Sequence, residues 1–147
     1  IINETFFMKT FVQQKIYGTA LLKSKLHLNG SCITAVLTNE DIEAHHATLE
    51  DLEGIASQLR STEGVETAFF IHQSGEDEYR VSCRSAEYVD VSLIAAKHGG
   101  GGHKRAAGLT MKGNPEEIVT QLVKEVEEAM REANNEETRS VFEFGSE

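Results

Sequence analysis

Residues 65–84 read V-E-T-A-F-F-I-H-Q-S-G-E-D-E-Y-R-V-S-C-R, and this stretch decides the fold. Val65 to His72 is a short apolar run with β-branched and aromatic side chains, which predicts a strand. Ser74-Gly75-Glu76-Asp77 is turn chemistry. Tyr79 to Arg84 then alternates. Tyr79, Val81 and Cys83 fall on one side, and Arg80, Ser82 and Arg84 on the other. The stretch is therefore a hairpin with one apolar and one polar face on its return strand.

Upstream, Asn29-Gly30 predicts a turn and Ser31 to Thr38 a buried strand. Asn39 to His46 is polar and predicts a loop or one helical turn. Thr48, with Asp51 three residues on, predicts a helix carrying Leu49, Leu52, Ile55, Ala56 and Leu59 and ending before Gly64. Residues 4 to 23 predict a first helix, with Phe7, Phe11, Tyr17, Ala20 and Leu21 as its stripe. Downstream, Asp90 caps a short helix containing Val91, Ile94 and Ala95. Gly99 to Gly102 interrupt regular structure, and Ala106 to Met111 starts as a turn and ends as a strand. Asn114-Pro115-Glu116-Glu117 opens a last helix with Ile118, Leu122, Val126 and Ala129 inward. Beyond Ala133 the apolar stripe gives way to polar and acidic residues, which predicts fraying. The whole is an α/β fold: a small mixed β-sheet flanked by helices, in a single domain.

The chain has 147 residues, 39% hydrophobic and 26% charged, which is a globular composition. No run reaches the roughly 18 apolar residues of a membrane span, so no membrane partner is expected. Cys32 and Cys83 form no CxxC pair, which fits a reducing, cytoplasmic compartment. The opening residue is Ile1, not Met, which predicts a processed chain or a piece of a longer one. The net charge is −10, but it is unevenly spread. Residues 114–147 carry ten acids against three bases, whereas residues 80–112 carry six bases against two acids. An anionic ligand is expected in that basic window.

The window contains His98-Gly-Gly-Gly-Gly-His103-Lys-Arg-Ala-Ala-Gly108. Four consecutive glycines are costly to order, and are tolerated where a backbone approaches something closely. Their amides can form a nest for an anion, and a helical turn after them would add its own free N–H groups. His103 can donate to a phosphate oxygen, while Lys104 and Arg105 raise the potential. The competing reading is a flexible glycine linker. Neither the Walker A nor the dinucleotide-binding spacing fits. Arg84 can grip a phosphate in bidentate fashion with Ser85 adding a hydroxyl. The competing reading is a surface arginine paired with Glu87 or Asp90. His45-His46, and His98 or His103 taken with a cysteine, lack the spacing of a metal site.

Gly99-Gly-Gly-Gly-His103-x-x-Ala106-Ala107-Gly108 resembles the signature of the DHH-associated domain, type 1, the C-terminal half of many DHH-family phosphoesterases. Val81-Ser-x-Arg84-Ser85 and Val89-Asp90-Val91-Ser92-x-Ile94-Ala95 resemble the same family, in particular the bacterial oligoribonuclease and phosphoadenosine-phosphate phosphatase branch. The resemblance divides the chain into three. Residues 1–28 are a linker helix from the junction with a missing catalytic DHH domain, residues 29–133 the DHH-associated domain, and residues 134–147 an acidic tail. It implies that Arg84, Ser85, Gly100, Gly101, Gly102 and His103 contact substrate phosphate, with no catalytic residue and no metal or other cofactor in this chain. Mn2+ is expected in the missing domain. The implied partners are a nucleotide or short single-stranded oligonucleotide, the N-terminal DHH domain of the same protein, and a second copy in a homodimer. Ala44-His45-His46 lacks the aspartate of the family's metal motif, so no metal role is carried onto it. The alternatives are a non-catalytic single-strand nucleic-acid-binding module and the cap domain of a cyclic-dinucleotide phosphodiesterase.

Overall fold

The computed structural model describes residues 8–145, so the expected helical residues 4–7, Phe7 among them, lie outside the described residues. Helix α1 covers Phe11–Lys23 and is capped by Thr10. Strands β1 (Lys25–His27) and β2 (Cys32–Leu37) follow, then helix α2 (Asn39–Ala44). A 3-10 turn over Leu49–Leu52 precedes helix α3 (Ile55–Arg60). Strands β3 (Thr67–Gly75) and β4 (Glu78–Ser85) form the hairpin. Helix α4 (Val91–Lys97), strands β5 (Gly101–His103) and β6 (Ala106–Lys112), and helix α5 (Pro115–Gly145) complete the chain.

The sheet has six strands in the order β1-β2-β3-β4-β6-β5. Only β2 and β3 run parallel; the other neighbours are antiparallel. This is the mixed sheet that the sequence predicts. Phe69 and Phe70 show how it is held. Successive residues of a strand point to opposite faces, yet both rings are almost wholly buried. Each face therefore carries its own core. On one face Phe69, Val81, Cys83 and Leu109 pack with α4 and α5 through Ile94, Ile118, Leu122 and Val126. On the other, Phe70, Ile33, Ala35 and Leu37 pack with α1, α2 and α3 through Ile16, Ile42, Ile55 and Leu59.

The second face is only half covered. Helices α1 to α3 lie over β2 and β3, with α3 reaching the near side of β4. Over β4, β6 and β5 no described helix covers the polar side of the sheet, and Arg80, Thr110, Gly101 and His103 are exposed there.

Several expectations are corrected. Phe11 and Leu21 do not form the inner stripe of α1; both are exposed, whereas Ala20 is buried as expected and Ile16 joins it. Apolar residues are spread around this helix, so periodicity alone does not choose a face. The helix expected after Thr48 is two elements. Thr48 does form its box with Asp51, whose carboxylate accepts from the Thr48 amide at 2.8 Å. Gly54 then breaks the run with φ +88°, beneath the Tyr17 hydroxyl, which donates to the Glu53 carbonyl. The last two of the four glycines do not interrupt the sheet but form its edge strand, and β6 is a strand from Ala106 onward. Helix α5 runs past Ala133 to Gly145.

Candidate functional site

The open half-face is built in three cross-strand rows. Arg84 of β4 pairs with Ala106 of β6, which pairs with His103 of β5. Ser82 pairs with Gly108, which pairs with Gly101. Arg80 pairs with Thr110 on one side and His72 on the other. With strands about 4.8 Å apart, Arg84 and His103 stand roughly 10 Å from each other. Between them lie only alanine, serine and glycine. The result is a shallow trough with a floor of small residues and basic or imidazole side chains on its rim.

Each rim group has a definite setting. Arg84 Nη1 donates to the Cys83 carbonyl at 2.9 Å, and Nε lies 3.4 Å from Ser57 Oγ on α3. Its Nη2 is bonded to none of the described residues, and neither Glu87 nor Asp90 pairs with it. The surface ion-pair reading is therefore not what the fold adopts. The guanidinium is braced at Nε and Nη1, which leaves Nη2 as its free donor rather than the bidentate fork expected from the sequence. His103 is exposed on the edge strand. Arg80 reaches across β6, with Nη1 3.4 Å from Thr110 Oγ1. Burial, then the charge of Arg80 beside it on β4, lower the pKa of His72. Its Nδ1 is buried without a hydrogen-bond partner.

Ser85 is elsewhere. It follows Arg84 by one residue and so points to the opposite face, where it is 3% exposed. Its hydroxyl donates to the Lys104 carbonyl at 3.1 Å and accepts from Arg105 Nη1 at 3.1 Å. Arg105 also donates to the carbonyls of Val89 and Glu87. Its charge is spent on the β4–α4 loop rather than on the trough.

The glycines divide likewise. The amides of Gly99 and Gly100 donate to the Ala96 and Ala95 carbonyls and end α4. They are not free for an anion. A Cβ at Gly102 would stand 2.6 Å from Ala107 Cα, and its φ of +148° favours glycine, so this residue lets β5 lie against β6. Gly101 faces open space. The chain after the glycines makes a strand and the tight turn at Lys104-Arg105, with no helical turn. Arg84, His103 and Gly101 thus come together, whereas Ser85, Gly100 and Gly102 build the frame.

Sequence reasoning missed two buried acids in that frame. Glu66 is 5% exposed and accepts from three successive amides, those of Glu87, Tyr88 and Val89, at 2.9–3.1 Å. A charged residue inside an otherwise apolar strand run was the available signal. Glu125, 4% exposed in the inner stripe of α5, holds His98 at the end of α4. Among the described residues no group of three His, Cys, Asp or Glu side chains could hold a metal ion. His98 is tied to Glu125, His45 lies 2.9 Å from Thr19 Oγ1, and both cysteines are buried and free.

Residues 29–132 match the DHHA1 domain. The chain belongs to the DHHA1 domain family. The match spans strands β2 to β6 and helices α2 to α4 with most of α5, including every residue of the trough, and leaves out α1 and β1. Among characterised relatives, the DHHA1 chain is 36% identical over 118 residues to the bifunctional oligoribonuclease and PAP phosphatase NrnA of Thermus thermophilus. That alignment covers 80% of this chain and 34% of the relative. It is 30% identical over 108 residues to an A-adding tRNA nucleotidyltransferase of Geobacter sulfurreducens, covering 69% of this chain and 12% of that enzyme. Among solved structures, an exopolyphosphatase-related protein from Bacteroides fragilis superposes with a TM-score of 0.73 at 24% identity, over 80% of this chain and 36% of that one. The DHHA1 chain therefore spans about a third or less of the relatives it matches. No helix among its described residues is long and apolar enough to cross a membrane.

Proposed function

We propose that this chain is the substrate-binding domain of a manganese-dependent DHH-family phosphoesterase that hydrolyses short oligonucleotides or 3′-phosphoadenosine 5′-phosphate. The observation that carries the reading is the row His103–Ala106–Arg84, with a free guanidinium amino group at one end and an exposed imidazole at the other. The likeness to the Thermus oligoribonuclease and PAP phosphatase supplies the substrate class. Manganese would be held by a separate N-terminal DHH domain and would activate the attacking water there. This chain's part is to bind. Arg84 Nη2 and the His103 ring each donate to phosphate oxygens. The floor of Gly101 and Ala106 admits the phosphodiester close to the sheet, and the domain closes the trough against its catalytic partner. A reducing cytoplasm suits the two free cysteines.

A second reading, a non-catalytic module for single-stranded nucleic acid, draws on the likeness to the tRNA nucleotidyltransferase. Salt and length separate the two. A module of that kind gains affinity with every added nucleotide and loses it steeply with salt, whereas a substrate-binding domain saturates after a few nucleotides.

The test is calorimetric titration of 5′-phosphorylated diadenylate into the purified chain and its Arg84→Ala and His103→Ala variants. Binding by the wild type that falls at least about tenfold in either variant is expected, since each removes a hydrogen bond to a charged group. Equal affinity in all three proteins, or no binding by any, overturns the reading.

A further inference from the structure

Arg80 lies on the same face as Arg84, four residues away along β4. At about 3.3 Å per residue the two Cα atoms are roughly 13 Å apart. Two arginine side chains could still converge from that distance, but their contacts show them diverging. Arg84 leans toward α3 through Ser57, and Arg80 leans the other way, onto β6, through Thr110. They are two separate cationic points, with Ser82 between them along β4.

Gly108 explains how Arg80 is placed. A Cβ there would lie 2.9 Å from Arg80 Nη2 and 3.5 Å from its Cζ. The backbone of Gly108 is not in the left-handed region, and the next nearest atom, the Val81 carbonyl oxygen at 3.6 Å, is at ordinary contact distance. What the missing side chain permits is the close approach of the guanidinium to β6. His72, neutral and unpartnered at Nδ1, forms the wall on the far side. No carboxylate pairs with Arg80 among the described residues.

We infer that Arg80, with Thr110 and the backbone of Gly108, forms a second phosphate subsite, which takes a further phosphate of a linear oligonucleotide whose first phosphate is held by Arg84 and His103. The inference rests on the reading of the trough given above and deepens it. Arg84 and His103 serve every substrate. Arg80 serves only those long enough to reach it, so it sets a preference for oligonucleotides over a single nucleotide carrying two phosphates. Thr110 Oγ1 contributes a hydroxyl to the same phosphate.

The test uses two ligands and three variants of the full chain. The ligands are 5′-phosphorylated triadenylate and adenosine 3′,5′-bisphosphate, and the variants are Arg80→Ala, Gly108→Ala and Arg84→Ala. Arg80→Ala is expected to weaken the trinucleotide about tenfold, the loss of one charged hydrogen-bond donor, and to leave the bisphosphate within twofold. Gly108→Ala keeps the charge but displaces the guanidinium, and is expected to give the same selective loss. Its folding is checked by urea denaturation. Arg84→Ala is expected to weaken both ligands. If Arg80→Ala weakens both ligands alike, or neither, while Arg84→Ala weakens both, the second subsite is overturned and the trough stands. If Arg84→Ala leaves both unchanged, or no ligand binds the wild type, the trough and the subsite fall together.

Discussion

Nε2 of His98 lies 2.9 Å and 3.0 Å from the two carboxylate oxygens of Glu125, joining the last turn of α4 to the middle of α5. Gln121 adds a bond to the same carboxylate at 3.3 Å. Because His98 immediately precedes the glycine run, this contact fixes where β5 begins.

His98→Ala leaves the nearly buried Glu125 carboxylate with Gln121 alone, and losing a hydrogen bond to a charged group typically costs about 1.5–3 kcal/mol. Urea unfolding should show the midpoint falling with an unchanged m-value. His98→Gln, which can still donate to the carboxylate, should recover part of the loss.

Glu66 is the more exacting acid. Its carboxylate answers three amides of one loop, and each stranded donor costs about 1–3 kcal/mol. Glu66→Ala should therefore destabilise the domain by more than about 3 kcal/mol. Glu66→Gln keeps one acceptor oxygen and should cost less. Chemical denaturation of both variants checks the order.

Both thiols should be silent. Burial pushes Cys83 up to about 12 and Cys32 up to about 11. The thiolate is the reactive form. At pH 8 an aromatic disulfide reagent should therefore label neither cysteine in the folded chain, and should label both at once in denaturant. Prompt labelling of the native protein would contradict the packing described.

Stability should decline from neutral toward mildly acid pH, and His72 should contribute. Burial, followed by the Arg80 charge, lowers its folded pKa below the unfolded value near 6.5. The unfolded chain then binds more protons between the two values, so stability rises with pH across that window. The contribution is complete above about 6.5 and is lost as the pH falls toward the folded pKa. In a His27→Gln background, which removes a second histidine lowered mainly by burial, His72→Gln should flatten the urea midpoint between pH 7 and pH 5. An unchanged slope would show that His72 does not carry it.

Gly102→Ala should loosen the edge of the sheet. The added carbon meets the Ala106 carbonyl at 2.6 Å as well as Ala107, and the backbone angle is unfavourable to any side chain. A cost of about 1–3 kcal/mol is expected. Amide exchange should rise first in β5 and at the Ala106 end of β6, and diadenylate binding should fall with it.

The hairpin was legible because Tyr79–Arg84 alternates without exception and the Asp90 and Asn114 caps stand where their helices start. The same alternation places Ser85 behind the sheet; reading it as Arg84's companion overlooked a period of two. Strand β1 is only Lys25-Leu26-His27, too short and too polar to leave a pattern. Strand β5 left none because two of its three residues have no side chain. The trough was half legible. Arg84 and His103 announce themselves by residue type, but the sequence holds nothing that says Arg80 reaches across Gly108. That relation exists only once β4 and β6 are in register.

Both margins of the sheet are three residues long, Lys25–His27 at one end and Gly101–His103 at the other. An unpaired margin is a template on which a foreign strand can grow, and proteins blunt it by brevity and charge. Here one margin opens on a lysine and the other is two glycines and an exposed histidine. Neither offers enough backbone partners to recruit another chain. The domain can thus keep one half of a sheet face bare without exposing itself to fibril growth along its borders.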